Sequence, residues 1–406
     1  MIYVHIPFCR SFCTYCDFYS EVAAKCRSFG RFADALVKEI EHRADEITDD
    51  VNTLYIGGGT PSVLPLDVFE RILDALRRCG HGGPYDEFTV EVNPEDIVEK
   101  GPGYVEGLLN LGVNRISMGV QSFDDGILKF MNRRHDAETA RKAYAILEEA
   151  GVENISIDLI FGLPQLSDAQ WQDTLDKALS ISGTGRLPKH ISSYQLSVEP
   201  GSMLARLVEK GRFEEASEEL CERQYSMLCA ALRDAGYRHY EISNFALPGY
   251  EARHNSAYWK HVPYVGFGPG AHSLVSPQSV SPTAPEGAYG LRASAEASGV
   301  ESHYSRTWNE ADLNRYLEDP MGVRDGEELT GGQVVMERIM LALRTSEGIP
   351  EEFLRMHCAP HELEHALACG NLVRIPDCHG TADAPCRLRI PEDRFFVSDS
   401  IIPNLV

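Results

Sequence analysis

The sequence has few basic residues and lacks any long hydrophobic run. Among its 406 residues, 38 lysines and arginines stand against 61 aspartates and glutamates, so the formal net charge is −23. Such acidity argues against an extended nucleic-acid-binding face, because those faces gain affinity by neutralising phosphates. No apolar stretch approaches the roughly 20 residues that span a bilayer, which leaves only peripheral membrane contact open. No signal-peptide pattern precedes the first predicted strand, and we expect a reducing, cytoplasmic location.

A regular disulfide framework is also lacking. The eleven cysteines are an odd number. Eight of them are scattered along the chain, at Cys26, Cys79, Cys221, Cys229, Cys358, Cys369, Cys378 and Cys386. Scattered cysteines in a chain of this length do not suggest a secreted disulfide scaffold.

The other three cysteines, Cys9, Cys13 and Cys16, lie close together with the spacing C-x3-C-x2-C. Structural zinc takes four protein ligands, and a four-iron cluster is normally held by four cysteines. Three thiolates on one short loop can therefore hold three irons and leave the fourth iron open to a ligand that reacts. The alternative is three unrelated thiols on a turn, which the local density of cysteines argues against.

The first half of the sequence alternates short apolar strands with amphipathic helices, which predicts an α/β fold. The predicted strands are 1–6, 53–57, 88–92, 115–120, 155–160 and 190–197. The predicted helices lie near 28–47, 67–79, 104–111, 136–150, 168–181 and 213–235. This alternation predicts a parallel sheet with right-handed crossovers. Six strand–helix units are fewer than the eight of a closed barrel, so we expect an open, partial (β/α)6 barrel over residues 1–240.

Two further segments follow the predicted barrel. Residues 241–329 combine a stretch rich in Gly, Pro and aromatics with a Pro- and Ser-rich insertion at 276–302, which looks exposed and flexible and is assigned no role. Residues 330–406 are expected to form a compact, helical, winged-helix-like domain. Its predicted elements are helices at 334–344, 351–356 and 362–368 and a hairpin of 387–390 with 395–397.

Polar or glycine residues follow or interrupt several predicted strands. Three glycines followed by Thr60 come directly after the second strand, where backbone without Cβ atoms can approach a ligand closely. Glu91 ends the third strand and can accept hydrogen bonds from ribose hydroxyls. Asp158 is a lone carboxylate in an apolar strand, which requires a partner or a ligand. The fourth strand presents one polar face, formed by Arg115, Ser117, Gly119 and Gln121.

Together these segments resemble the radical S-adenosylmethionine (SAM) superfamily. The cysteine spacing is that family's own. The segments Ile-Pro-Phe-Cys, Gly-Gly-Gly-Thr-Pro, Glu-Val-Asn-Pro, Ser-Met-Gly-Val-Gln-Ser-Phe and Asp-Leu-Ile-Phe-Gly-Leu-Pro resemble the branch that contains the oxygen-independent coproporphyrinogen III dehydrogenases (HemN). The resemblance implies a [4Fe-4S] cluster on Cys9, Cys13 and Cys16, with SAM chelating the open iron. It also implies SAM-site positions at Tyr3, Tyr15, Gly58, Gly59, Thr60, Glu91, Gln121, Arg133 and Asp158, although Arg134 beside Arg133 leaves the choice of arginine open.

Three departures separate the sequence from the HemN dehydrogenases. Those enzymes carry a further cysteine two residues after the third ligand, where this chain has Phe18. They also have a substantial segment before the cluster loop, whereas Cys9 lies near the start here. The third departure is the segment His254-Asn255-Ser256-Ala257-Tyr258-Trp259. It matches the H-N-x-x-Y-W signature of the HemW-type haem chaperones, which the Cys-Asp-Phe sequence and residues 395–402 also resemble.

This resemblance implies a haem site around the signature. A histidine can offer an imidazole to haem iron, and aromatic side chains can pack on a porphyrin face. In this interpretation His254 is the candidate ligand, Asn255 orients it, and Tyr258 and Trp259 contact the haem. From the residues alone, a histidine that caps a turn and aromatics that pack in the core are the stronger interpretation, and only the family resemblance reverses that order. His261 and His272 are rival ligands.

The sequence therefore predicts a haem chaperone that binds a [4Fe-4S] cluster, SAM and haem, and passes haem to acceptor haemoproteins. The resemblance further implies dimerisation that depends on the cluster, and peripheral membrane contact where the acceptors are respiratory enzymes. Two alternatives stay open, a coproporphyrinogen III dehydrogenase and a radical SAM methyltransferase of the same branch. Whether SAM is cleaved is also open, so the sequence does not decide whether the protein is an enzyme.

Overall fold

The structure is a computed structural model that describes residues 1–23, 29–48, 52–276, 304–375 and 386–405. The predicted insertion at 276–302 therefore lies outside the described residues except for its first position, as do Cys26 and Cys378. Among the described residues, no helix is both long and apolar enough to cross a membrane.

The described residues form seventeen strands. In chain order they are β1 (Ile2–Ile6), β2 (Phe8–Cys9), β3 (Glu21–Val22), β4 (Thr53–Gly58), β5 (Glu87–Val92), β6 (Arg115–Gln121), β7 (Asn154–Phe161), β8 (His190–Gln195), β9 (Arg238–Glu241), β10 (Asn244–Ala246), β11 (Val265–Phe267), β12 (His272–Val275), β13 (Tyr304–Asn309), β14 (Arg324–Leu329), β15 (Ile349–Pro350), β16 (Val373–Ile375) and β17 (Arg387–Arg389).

The same residues form fifteen α-helices. They are α1 (Phe29–Arg43), α2 (Leu66–Arg78), α3 (Pro94–Lys100), α4 (Pro102–Asn110), α5 (Asp125–Phe130), α6 (Ala137–Glu149), α7 (Asp168–Leu179), α8 (Met203–Glu209), α9 (Glu218–Asp234), α10 (Arg253–Trp259), α11 (Leu313–Glu318), α12 (Gly331–Ala342), α13 (Glu351–His357), α14 (Pro360–Ala368) and α15 (Ser398–Ile401).

A nine-stranded sheet forms the centre of the molecule, in the order β11-β1-β4-β5-β6-β7-β8-β10-β9. Strands β1 and β4 to β8 are the six predicted strands, each within two residues of its predicted ends, and they pair in parallel. Strand β11 extends the sheet in parallel beyond β1, while β10 and β9 continue it antiparallel beyond β8. The two edges do not meet among the described residues, which confirms the open, partial (β/α)6 barrel.

The helices bury apolar stripes against this sheet. On α1, Phe32, Leu36 and Ile40 recur every four residues and are fully buried, as expected for the inner face of an amphipathic helix. The Phe32 ring packs edge-to-face on Phe8, with the ring centroids 5.1 Å apart. This contact fixes the start of the cysteine loop to the core.

A buried ion pair joins α1 to the chain that follows the barrel. Glu39 pairs with Arg43 one turn later, and both residues are at most 2% exposed. The Glu39 carboxylate also accepts hydrogen bonds from the backbone N–H of Gly268 (2.8 Å), from Asn309 Nδ2 (2.7 Å) and from the Tyr316 hydroxyl (2.6 Å). The network therefore attaches α11 and the antiparallel sheet β12-β13-β14 to the barrel.

The C-terminal segment follows the order helix, strand, helix, helix, strand, strand through α12, β15, α13, α14, β16 and β17. This is the element order of a winged helix and agrees with the predicted winged-helix-like class. The predicted hairpin is wrong, because β17 pairs with β15 and β16, whereas 395–397 belong to a 3-10 helix, Glu392–Val397. Phe395 is fully buried against His239, so its apolar character reflects core packing.

Candidate functional site

A cavity of about 850 Å³ opens at the carboxyl ends of the parallel strands. Cys9, Cys13 and Cys16 line this cavity. Eight of the nine positions expected to contact SAM line it as well, namely Tyr15, Gly58, Gly59, Thr60, Glu91, Gln121, Arg133 and Asp158. We call it the cluster cavity.

Short pairings close the cysteine loop at its base. Strand β2, which ends at Cys9, pairs in parallel with β3, and the N–H of Glu21 donates to Pro7 O at 2.7 Å. The backbone N–H of Thr14 donates to Met131 O at 3.1 Å. The loop is therefore fixed at both ends, and the cysteines project from it toward the cavity.

The cysteine side chains suit a cluster better than a single ion. Among the described residues, no three His, Cys, Asp or Glu side chains could hold one metal ion. A cubane does not need such convergence, because each of its cysteines binds a different iron. Burial raises the pKa of Cys9, and it raises the pKa of Cys16 to about 12. Both thiols are therefore neutral at pH 7, and metal binding would release their protons.

Gly59 and Thr60, directly after β4, bring their backbone against the start of the cysteine loop. The N–H of Gly59 donates to Ile6 O at 2.8 Å, and the N–H of Thr60 donates to Phe8 O at 2.7 Å. A Cβ atom at Gly59 would lie 2.8 Å from Ile6 O and 2.7 Å from Phe8 O, closer than real Cβ atoms come. The position therefore admits only glycine, and the Thr60 hydroxyl lies 3.4 Å from Cys9 Sγ.

Two buried carboxylates, Glu91 and Asp158, line the cluster cavity. Glu91 accepts hydrogen bonds from the Tyr55 hydroxyl (2.6 Å) and the N–H of Gly58 (3.1 Å), and burial raises its pKa to about 7. Asp158 accepts from Ser117 Oγ at 3.2 Å, and burial raises its pKa to about 6. A cationic, hydroxyl-bearing ligand would favour the ionised form of both groups.

Arg133, and not Arg134, faces the cluster cavity. Its Nη2 donates to Asn93 Oδ1 (2.6 Å) and Gly119 O (2.7 Å), while its Nη1 lies 3.4 Å from Cys13 Sγ. Arg134 is exposed and does not line the cavity. The Nε of Arg133 is buried and has no hydrogen-bond partner among the described residues, so the guanidinium has a donor left for a ligand.

Of the nine positions expected to contact SAM, Tyr3 does not line the cavity. Its hydroxyl lies 3.0 Å from His5 Nδ1, and the other ring nitrogen of His5 donates to Tyr19 O at 2.8 Å. Tyr55, directly opposite Tyr3 in the β1–β4 pairing, lines the cavity instead. Tyr55, Asn93 and Ser192 also line the cavity, and none of them was predicted as a site residue. Asn93 belongs to the Glu-Val-Asn-Pro segment, which was a signal for it, whereas Tyr55 could be found only from the strand register.

The H-N-x-x-Y-W signature forms helix α10, and His254 within it is buried. Its side chain lies 2.9 Å from Thr53 Oγ1 through Nδ1 and 3.1 Å from the Tyr258 hydroxyl through Nε2. Burial lowers its pKa to about 3, so the ring is neutral. The carboxylate of Glu87 accepts from the N–H groups of Arg253 (2.8 Å) and His254 (3.1 Å) at the helix start. In this arrangement both imidazole nitrogens of His254 are occupied, and the ring lines neither described cavity.

The other residues of the signature divide between two cavities. Asn255 lines the cluster cavity, whereas Trp259 lines a second cavity of about 740 Å³ between α10, β9, α12 and β15. His261 also lines the second cavity. His272 is exposed, stacks on Trp308 with a centroid distance of 5.9 Å, and lines neither cavity.

Comparison with known proteins identifies the family of the chain. Residues 3–178 match the family model described as the radical SAM superfamily. The chain is 33% identical over 354 residues to heme chaperone HemW of Synechocystis, covering 86% of this chain and 78% of the relative. It is 31% identical over 412 residues to heme chaperone HemW of Mycobacterium tuberculosis, covering 100% of this chain and 94% of the relative.

A solved structure shows the same fold over nearly the whole chain. Coproporphyrinogen III oxidase (HemN) of Escherichia coli superposes with a TM-score of 0.74 at 20% identity, covering 99% of this chain and 89% of that one. The structural match supports the fold, and the curated relatives identify the branch. The chain belongs to the HemW family within the radical SAM superfamily.

Proposed function

We propose that the protein is a haem chaperone that holds a [4Fe-4S] cluster and SAM in the cluster cavity and delivers haem to acceptor haemoproteins. The observation that carries this proposal is that three cysteines and eight of the nine expected SAM positions line one cavity. The haem function is supported by the relatives, which are heme chaperone HemW proteins.

The residues present suit each part of such a cofactor pair. Cys9, Cys13 and Cys16 would each bind one iron and leave the fourth iron for SAM. The backbone at Gly58 and Gly59 comes close enough to the cavity to hold the amino-acid part of SAM. The carboxylate of Glu91 would accept from ribose hydroxyls, while Arg133 and Asp158 supply further polar contacts. When bound, the cluster supplies one-electron chemistry, and the protein positions its partners.

The alternatives predict different chemistry at the same cavity. Phe18 occupies the place where the resemblance puts a further cysteine in the HemN dehydrogenases, and it is 64% exposed at the cavity rim. A phenylalanine cannot ligate iron or transfer a hydrogen atom as a thiol does, so this position favours haem transfer over porphyrinogen oxidation. A SAM-dependent methyltransferase of the same branch is the remaining alternative.

The proposal includes a cellular setting. We place the protein in the cytoplasm, with peripheral membrane contact where the acceptors are respiratory enzymes, and with a homodimer that forms when the cluster is loaded. Haem and acceptor haemoproteins are the proposed partners, and nucleic acid is not one of them. The strongly acidic composition supports that exclusion, because phosphate binding requires basic surface.

Anaerobic reconstitution of the wild type and of a Cys9→Ser/Cys13→Ser/Cys16→Ser variant tests the proposal. The wild type is expected to show a [4Fe-4S] spectrum that changes on addition of SAM, to bind haem, and to pass it to an apo-haemoprotein. The triple variant should lose the cluster spectrum. An assay for protoporphyrinogen runs beside the titration, with methyl-labelled SAM as a probe of methyl transfer.

Three outcomes would contradict the proposal. A metal content of zinc alone, or an iron centre insensitive to SAM, would remove the cofactor assignment. Rapid protoporphyrinogen formation without haem binding would favour the dehydrogenase. Transfer of the labelled methyl group to a substrate would favour the methyltransferase.

A further inference from the structure

The second cavity has no role in the cluster and SAM site. At about 740 Å³ it lies within the range of cofactor pockets. Helix α10 separates it from the cluster cavity, because Asn255 lines the first cavity while Ser256 and Trp259 line the second. The second cavity thus has its own lining, contributed by β9, the end of α10 and the C-terminal segment.

His261 holds an unusual backbone conformation in this lining. It is 6% exposed and adopts φ +56°, a left-handed value that is uncommon for a residue with a Cβ atom. Its N–H donates to Tyr258 O at 3.0 Å, so the conformation is fixed by the end of α10. A left-handed residue at this position is a common way to end an α-helix, and here it fixes where the His261 side chain leaves the chain.

The His261 imidazole has one nitrogen oriented and one nitrogen unpaired. Its Nε2 lies 3.0 Å from Glu337 Oε2, and the other oxygen of Glu337 accepts from Arg306 Nη2 at 2.7 Å. The carboxylate requires a proton on Nε2, which leaves a lone pair on Nδ1 of the neutral ring. That Nδ1 is buried and has no hydrogen-bond partner among the described residues. A carboxylate on one nitrogen and an open lone pair on the other is how proteins orient metal-ligating histidines.

The residues around His261 determine which metal species its Nδ1 could ligate. Among the described residues, no cluster of three metal-ligating side chains exists, so a bare ion would lack ligands. Haem brings four nitrogen ligands of its own and takes only axial ligands from the protein. The partly buried indole of Trp259, which also lines the cavity, offers a flat apolar surface for a porphyrin face.

Cationic side chains around the same cavity match the propionates of haem. Arg238 is 67% exposed and 3.7 Å from Glu251, and Lys260 is 50% exposed and 2.9 Å from Glu347. Ion pairs this exposed contribute little stability, so both cations can exchange their acidic partners for a propionate. We infer that the second cavity holds the haem and that His261 Nδ1 is its axial ligand from the protein.

This inference rests on the proposed haem function. It goes further by naming the residue that ligates the haem iron and the cavity that holds the haem. Because Nδ1 has no contact with solvent, the side chains that cover it must move when haem enters. The ligand is then covered again when haem leaves, which suits a protein that gives its haem away.

Titration of the full-length, cluster-loaded protein with ferric haem tests the inference, with visible absorption and resonance Raman spectra as readouts. His261→Ala should lose the histidine–iron signature and weaken haem binding, and added imidazole should restore the signature. Glu337→Gln keeps the ligand but loses its orienting carboxylate. It should shift the histidine–iron band and weaken haem binding roughly tenfold. His272→Ala is the matched control, because that residue is exposed outside both cavities, and it should behave as the wild type.

The outcomes separate the inference from the function on which it rests. Haem binding and transfer with unchanged spectra in both His261→Ala and Glu337→Gln would overturn the ligand assignment and leave the chaperone proposal standing. Absence of haem binding in the wild type would overturn both. The Glu337→Gln variant keeps the test decisive if His261→Ala does not fold, because a changed band in a folded variant requires His261 at the iron.

Discussion

Replacing Glu91 by glutamine is expected to raise the stability of the cofactor-free protein and to weaken SAM binding. Both effects follow from one feature, the carboxylate enclosed in the cluster cavity beside Tyr55 and Gly58. Burial raises its pKa to about 7, mainly because the charged form loses water. The carboxylate is therefore placed to bind a ligand, and it lowers the stability of the protein when no ligand is bound. Binding sites commonly have this effect on stability.

The stability effect can be estimated from the pKa. The ordinary value is about 4.5, so the folded protein binds more protons than the unfolded chain between pH 4.5 and about 7. Stability therefore falls as the pH rises through this window, by up to about 3 kcal/mol for a fully buried group. Because Glu91 faces a cavity, solvent reduces this to roughly 1–3 kcal/mol. We expect Glu91→Gln to be more stable than the wild type at pH 8 by that amount, and nearly equal at pH 4.5, in urea unfolding of the cluster-free protein.

The binding effect has the opposite sign. A hydrogen bond to a charged acceptor contributes about 1.5–3 kcal/mol, against about 1 kcal/mol for a neutral one. Glutamine should therefore weaken SAM binding by roughly 1–2 kcal/mol, or about 5- to 30-fold, at pH 8. Anaerobic calorimetry on the cluster-loaded protein measures this. Wild-type affinity should rise from pH 6 to pH 8, and the variant should keep only the dependence centred near the Asp158 pKa of about 6.

Glu241→Gln provides a matched control. Burial also raises the pKa of Glu241 to about 7, but this side chain lines the second cavity. The control should gain stability at pH 8 with no change in SAM affinity. A Glu91→Gln variant that lost stability at pH 8, or a wild-type affinity independent of pH between 6 and 8, would refute the reasoning.

Two further predictions concern the loop and the core. Gly59→Ala should lower the iron content after reconstitution and destabilise the protein by about 1–3 kcal/mol, because its methyl group would lie 2.7 Å from a carbonyl oxygen of the cysteine loop. Iron and sulfide analysis measures the cluster content, and an iron content equal to that of the wild type would contradict the prediction. Arg43→Met should cost about 3–5 kcal/mol in urea unfolding, because Glu39 stays buried without its cation, and adding Glu39→Gln should recover much of the loss. Unchanged stability of Arg43→Met would contradict the reasoning about this buried ion pair.

The strands of the partial barrel could be predicted from sequence because of how they are buried. β7 (Asn154–Phe161) is an almost continuous apolar run, as parallel strands covered on both sides tend to be. Turn-forming residues follow it, so both its type and its ends were visible in the sequence. The short strands β9, β10 and β11 carry no such signal, because three or four residues acquire strand geometry only from the neighbours they pair with.

The wrong prediction of a strand at 395–397 has the same origin, because neighbours in the fold decide the local structure there as well. The sequence Phe395-Phe396-Val397 has strand-forming residues, yet it folds as a 3-10 helix after Pro391. Phe395 packs on His239, and Phe396 packs on Tyr225 with a centroid distance of 5.3 Å. These contacts with β9 and α9 decide the local structure, and neither is visible from neighbouring residues in the sequence.

The two cavities differ in how much of their lining could be predicted from the sequence. The residues of the cluster cavity follow successive parallel strands, whose carboxyl ends meet at one edge of the sheet. Most of them also belong to the short segments that resemble the radical SAM superfamily, so they could be predicted from the sequence. The second cavity joins β9, the end of α10 and the C-terminal segment, which are distant in sequence. Its lining could be recognised only in the folded chain, and so could the oriented imidazole of His261.

Helix α10 explains why the signature histidine alone cannot identify a haem ligand. The His254 ring contacts the ring of Tyr55 with centroids 5.1 Å apart, and Tyr55 donates to Glu91 in the cluster cavity. On its other side His254 meets the Tyr258 hydroxyl, on the helix whose end lines the second cavity. Removing the imidazole would therefore loosen both cavities at once, by loss of buried hydrogen bonds, without touching either ligand. Loss of haem binding in His254→Ala thus follows from a ligand role and from a structural role alike, and only the His261 and Glu337 variants separate the two.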